Sequence, residues 1–253
     1  VGGTSSATGT MILTFGGALS ATNPATGIFA NNQWGVNIAY NTINNNTGTN
    51  LNHVSTLRGI FMNSSSTSAS ADCNFNNITV KSGATTSQLS GIENGFGSTA
   101  AGNTINIKNN TITGDYLTAT SGLFYGIYNT ASPATLNINN NTVTNFNYSS
   151  AALTGSGSNY LIYSTGAAPN ANAISNTISN YSRTGNSGGT TIGIYFSSGT
   201  NQIVKKNTIN NLVQDGTGSS STLYGIQTTT GTIVCDSNMV SNLKVLKASG
   251  TGS

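Results

Sequence analysis

Residues 103–116 read NTINIKNNTITGDY, and residues 134–148 read ATLNINNNTVTNFNY. The same phrase returns at 170–183 as NANAISNTISNYSR and at 201–215 as NQIVKKNTINNLVQD. Taking the Asn of the recurring Asn-Thr-Ile as origin gives a column of Asn41, Asn76, Asn110, Asn141, Asn176, Asn207 and Asn238. The steps between them are 35, 34, 31, 35, 31 and 31 residues. Two positions later stand Ile43, Ile78, Ile112, Val143, Ile178, Ile209 and Val240. Three positions earlier stand Ile38, Cys73, Ile107, Ile138, Ala173, Val204 and Cys235. Every member of both columns is apolar or small. A fixed period of this length is the mark of a repeat architecture.

Working outward, a second signature keeps step 12 to 18 residues before each Asn. It is Gly-Ile, mostly followed by an aromatic: Ile28, Ile60, Ile92, Ile127, Ile162, Ile194 and Ile226, with Gly before each except at Leu161. Side chains alternate faces along a strand, so apolar residues five apart on an unbroken strand would face opposite ways. A bend at the Asn lets both face inward, and Asn tolerates the left-handed backbone such a bend needs. The Asn is therefore read as a corner between two short strands. Stacked repeats place the amides one above another, each donating to the next and accepting from the last, which satisfies groups that are costly to bury alone. No single repeat can cover its own apolar face; stacking builds the core. Two strands are clear in each repeat. The expected fold is all-β: a right-handed parallel β-helix of about seven coils of 31–35 residues, about 34 Å long at the strand spacing. Ser/Thr/Gly-rich loops after each Asn-Thr-Ile strand, such as 83–87, 149–158 and 216–221, are expected to project along one side.

Composition agrees. Charged residues are 5% of the chain and hydrophobic residues 36%. Disordered chains run the other way, charge-rich and apolar-poor. Asn, Thr, Ser and Gly rank low in helix propensity. The net charge of +3 is the small difference between 8 cations and 5 anions. Only Lys205 and Lys206 are adjacent, which argues against a nucleic-acid partner. No run reaches the roughly 20 apolar residues of a membrane-spanning helix. Residues 1–253 are read as a single β-helix domain within a longer protein, continued at both ends by further repeats or other domains, since the chain starts at Val1 and ends in the polar run 248–253.

The Asn-Thr-Ile turns and Gly-Ile strands resemble the parallel β-helix repeat family, whose members include pectate lyases and phage tailspikes, from Ile28 to Leu243. The resemblance implies the fold and little about function, because lyases, adhesins and tail fibres share it. The family's lyases carry clustered acids for calcium and a basic residue for proton abstraction; no such cluster matches here. No catalytic, cofactor or metal residue is assigned.

Cys73 and Cys235 share the inward column five coils apart, about 24 Å at the strand spacing. A disulfide needs Cα atoms within about 7 Å, so two free, buried thiols are expected. The sole histidine, His53, sits in a loop. Glu93 and Asp115 are the one candidate carboxylate pair for glycoside hydrolysis, but are expected on different faces. Lys205 and Asp236 are expected to form a surface ion pair. After the Gly-Ile comes the outward column Phe29, Phe61, Glu93, Tyr128, Tyr163, Tyr195 and Gln227. Its rings, Phe29, Phe61, Tyr128, Tyr163 and Tyr195, are candidates for stacking on sugars or on one another. The pairs Thr111/Thr113, Thr142/Thr144 and Thr177/Ser179 resemble the ladders of ice-binding solenoids, broken elsewhere by Asn44, Asn77, Asn210 and Met239. The leading functional expectation is a structural or adhesive segment of a bacterial secreted or cell-surface protein, binding polysaccharide or cell-surface glycan. The rival is a polysaccharide lyase, hydrolase or tailspike-like depolymerase, and a minor alternative is an ice-binding solenoid.

Overall fold

A computed structural model describes residues 11–13, 23–45, 53–117, 121–148, 157–183, 189–215 and 221–246. Every described element is a strand, and every pairing between strands is parallel. In chain order they are β1 (Met11–Leu13), β2 (Ala25–Ala39), β3 (Asn41–Asn44), β4 (Leu57–Asn74) and β5 (Asn77–Ser82). Three strands per level follow: β6 (Leu89–Asn94), β7 (Thr104–Lys108), β8 (Thr111–Tyr116); β9 (Phe124–Asn129), β10 (Thr135–Asn139), β11 (Thr142–Tyr148); β12 (Asn159–Ser164), β13 (Asn170–Ile174), β14 (Thr177–Arg183). The last levels are β15 (Gly189–Phe196), β16 (Asn201–Lys205), β17 (Thr208–Asp215) and β18 (Ser221–Thr228), β19 (Thr232–Asp236), β20 (Met239–Leu246).

The strands stack into a parallel β-solenoid of about six turns. One sheet, ordered β1-β3-β5-β8-β11-β14-β17-β20, carries the Asn-Thr-Ile strands and forms the threonine face. The other holds twelve strands and bends at β2 and β4, long enough to cross from one face to the next. Its β6, β9, β12, β15 and β18 make the Gly-Ile face. Its β7, β10, β13, β16 and β19 make a third face, rich in amides. Each level therefore has three strands, one more than is clear in the sequence.

The core is the inward columns. Ile60, Ile92, Ile127, Ile162 and Ile194 are fully buried, as are Ile107, Ile138, Ile112 and Ile178. Each such side chain contributes about 1.5–3 kcal/mol by leaving water. Their register is level-on-level: Ile107 pairs with Ile138, Ile138 with Ala173, and Ile112 with Val143.

The corner is built differently from the sequence expectation. The left-handed residue is the one before the ladder Asn: Tyr40, Phe75, Asn109, Asn140, Ser175, Lys206 and Ser237 have φ between 55° and 58°. The ladder Asn follows with its side chain turned inward. The bend resets the alternation, so positions −3, 0 and +2 all face the core. It also takes the Asn backbone N–H away from a carbonyl partner, and the side chain one level on replaces that partner. Asn110 donates from its backbone N and its Nδ2 to Asn141 Oδ1, both at 3.0 Å. The same fork joins Asn76 to Asn110, Asn141 to Asn176 and Asn176 to Asn207. The second proton of Nδ2 goes to the carbonyl at position −3 of the preceding level, as from Asn141 to Ile107 O at 2.8 Å. Neither Asp, which cannot donate, nor Leu, which can do neither, meets that pattern.

Two further differences concern loops and thiols. Gly83 and Ala84 are buried at the start of the 83–87 loop, and only 85 and 86 are exposed, so the segment tucks in before it turns out. Residues 149–156 and 216–220 of the other two loops lie outside the described residues. Cys73 and Cys235 are both free, but only Cys73 is buried; Cys235 is exposed. Cys235 does lie in the inward column, paired with Val204. It belongs to β19, on which no described level stacks, so its inward side meets no cover there.

Candidate functional site

On the Gly-Ile face the outward column of the sequence has a twin. Register pairs Phe29, Phe61, Glu93, Tyr128, Tyr163, Tyr195 and Gln227 in one row, and Thr26, Arg58, Ser90, Tyr125, Tyr160, Ile192 and Tyr224 in a second. The rows are three residues apart along each strand, an odd number that alternation places on opposite faces. Glycine explains how they come to share one. A Cβ on Gly59 would stand 2.5 Å from Ile78 Cγ2 and 2.6 Å from Gly91 O, inside the core. Gly59 and Ile60 both face inward, and Arg58 and Phe61 on either side both face out. Leu161, the one exception to glycine, is buried in the core beside Ile162. Two consecutive inward residues produce a double-width outer row.

In the middle levels that row is five tyrosines. Tyr128, Tyr163 and Tyr195 stack with centroid steps of 5.3 and 5.0 Å and planes within 10°. Tyr125 lies 4.4 Å from Tyr128, and Tyr160 lies 4.3 Å from Tyr163, each pair stacked with planes within 18° of parallel. Tyr125 is buried; the other four are half-buried. Ring faces are occupied by neighbouring rings, so the strip turns its edges and phenol oxygens to solvent. Burial raises the phenol pKa of Tyr128 and Tyr163, opposed by hydrogen bonds with Thr165 and Ser197. Those hydroxyls in turn donate to the carbonyls of Asn129 and Ser164.

Toward the start of the chain the strip changes character. Arg58 Nε donates to Glu93 Oε2 at 2.6 Å, and its guanidinium lies 4.3 Å over the Phe61 ring. Gln88 Nε2 also donates to Glu93 Oε2, at 2.7 Å. Beyond them Phe29 stacks on Phe61 at 5.4 Å and is 56% exposed. Pro24, Thr26, Phe29, Arg58 and Phe61 line a shallow hollow there.

The remaining candidates are dispersed. Asp115 lies on the threonine face, 3.9 Å from Lys81, while Glu93 lies on the Gly-Ile face. The two carboxylates are not brought together. Lys205 and Asp236 form the expected outer ion pair at 3.9 Å. His53 is buried, and desolvation lowers its pKa against the backbone of Asn23 and Thr56. No three His, Cys, Asp or Glu among the described residues group as metal ligands. On the threonine face two pairs of hydroxyls are bonded to one another, Thr79 to Thr113 and Thr144 to Ser179, each at 2.9 Å.

Sequence reading missed Arg58, Tyr125 and Tyr160 because it assumed strict alternation. The adjacency of Gly and Ile, both inward, is the signal that finds them. No protein-family model matches the chain, and no curated protein or solved structure matches it either.

Proposed function

We propose that the chain is a structural and adhesive segment of a bacterial secreted or cell-surface protein, and that its tyrosine strip binds polysaccharide. One observation carries the reading. Five tyrosines are gathered on one outer face, in register, although nothing in the solenoid's hydrogen bonding requires an aromatic there. Their mutual stacking fixes the rings before any ligand arrives, which lowers the entropic cost of binding. A phenol presents both an apolar edge and a polar tip, the combination that suits a sugar. A lyase or hydrolase has less support: Glu93 is held by Arg58 and Gln88, and Asp115 lies on another face beside Lys81.

The test is retention on a panel of immobilised polysaccharides, with the soluble fraction assayed for new reducing ends and unsaturated products. Retention without product, lost on Tyr128→Ala, Tyr163→Ala and Tyr195→Ala together, supports an adhesive strip. Product release supports the enzyme. A chain retained on none of the panel removes the proposal.

A further inference from the structure

We infer that the ligand of the strip is a neutral, extended polysaccharide lying along the solenoid axis with one sugar per level. This rests on the glycan-binding reading above and goes further by fixing charge, direction and pitch.

The charge follows from the neighbours. The charged side chains in the two outward rows are Arg58 and Glu93, and they neutralise each other at 2.6 Å. No described residue of the tyrosine section itself carries a charge. An acidic glycan would meet no free cation there and would lose its hydration without a partner. A neutral polyol loses nothing of that kind.

The polar tips of the strip agree with this. A phenol hydroxyl both donates and accepts a hydrogen bond, as a sugar hydroxyl does, whereas a carboxylate only accepts.

The pitch fixes direction. Successive rings of the outer row stand 5.3 and 5.0 Å apart along the axis. A chain of equatorially linked pyranoses advances one sugar over nearly the same distance. Laid along the axis it meets one phenol per sugar; laid across, it spans at most the two rows.

The experiment is calorimetric titration of the 253-residue chain with cellohexaose and with hexagalacturonate, each at low and high salt. The variant is Tyr128→Phe, Tyr163→Phe and Tyr195→Phe combined, which keeps the stack and removes the hydroxyls; its thermal midpoint serves as the folding control. Cellohexaose is expected to bind equally at both salt concentrations, more tightly than the acidic hexamer. Affinity should rise with length from the dimer to the tetramer. The triple variant should lose roughly tenfold or more, at about one net hydrogen bond per phenol. Salt-sensitive preference for hexagalacturonate overturns the inference and leaves the adhesive reading standing. Unchanged affinity in a folded triple variant does the same. Failure of both hexamers and of the whole polysaccharide panel overturns both.

Discussion

Two sets of asparagine rows run along this molecule, one inside and one outside. The inner row, from Asn41 to Asn238, is buried over most of its length, and from Asn76 to Asn207 each amide makes a fork to the next level and a bond back to the last. The outer row on the amide face links Asp72, Asn106, Asn137 and Asn172 through single bonds of 2.8 to 2.9 Å, facing solvent. Side-chain chemistry and level spacing are shared; burial and the number of bonds differ. The inner row is needed because the bend before it leaves a backbone N–H with no carbonyl to meet. The outer row closes no such gap, and water can replace any of its bonds.

Substitution should separate the two rows sharply. Asn141→Leu removes the acceptor of two buried Asn110 donors and the donor to Ile107 O. At about 1–3 kcal/mol for each buried group left unsatisfied, the expected loss is about 4 kcal/mol in chemical denaturation. Gly91→Ala tests whether the two-inward bend is as tight as the inner corner. Its Cβ would stand 2.5 Å from Ile112 Cγ2 and 2.7 Å from Gly126 O, and about 2 kcal/mol of overpacking is expected. Asn180→Ala probes a third asparagine column, Asn145, Asn180, Asn211 and Asn242, each with φ near 55°. About 1 kcal/mol is expected from the left-handed backbone alone. Asn180→Gly should be nearly neutral, which assigns the cost to conformation and not to the amide. Asn137→Leu in the outer row should stay within about 0.5 kcal/mol; a loss equal to that of Asn141→Leu would erase the contrast. Reaction of the native chain with a maleimide should modify Cys235 and spare Cys73, whose thiol pKa is raised by burial.

The inner row was legible because the same phrase recurs seven times with its apolar flanks in step. The position of the bend was not. Tyr40, Phe75 and Lys206 hold left-handed backbone that such residues rarely adopt, so attention falls on the Asn beside them. Neighbouring levels hold them there: the N–H of Phe75 donates to Lys108 O, and the Tyr40 and Phe75 rings stack at 5.0 Å. The Asn145 column escaped notice for another reason. It is an extra residue in β11, which shifts the register against β8 between Val143 and Phe146. In β8 the space is left by Gly114, where a Cβ would stand 2.7 Å from the Phe146 ring. Of the candidate strip, Phe29, Phe61, Tyr128, Tyr163 and Tyr195 were read from their column. Arg58, Tyr125 and Tyr160 needed the core contacts of glycine to bring them to the same face.

The parallel strands have a mechanical consequence. They lie across the long axis, and the backbone bonds joining levels run along it. A tensile load between the two ends therefore strains the bonds of one level at a time and not of all together. Each rupture frees 31 to 35 residues, about 110 Å of slack. A solenoid built this way yields in small, repeated increments and dissipates work at each.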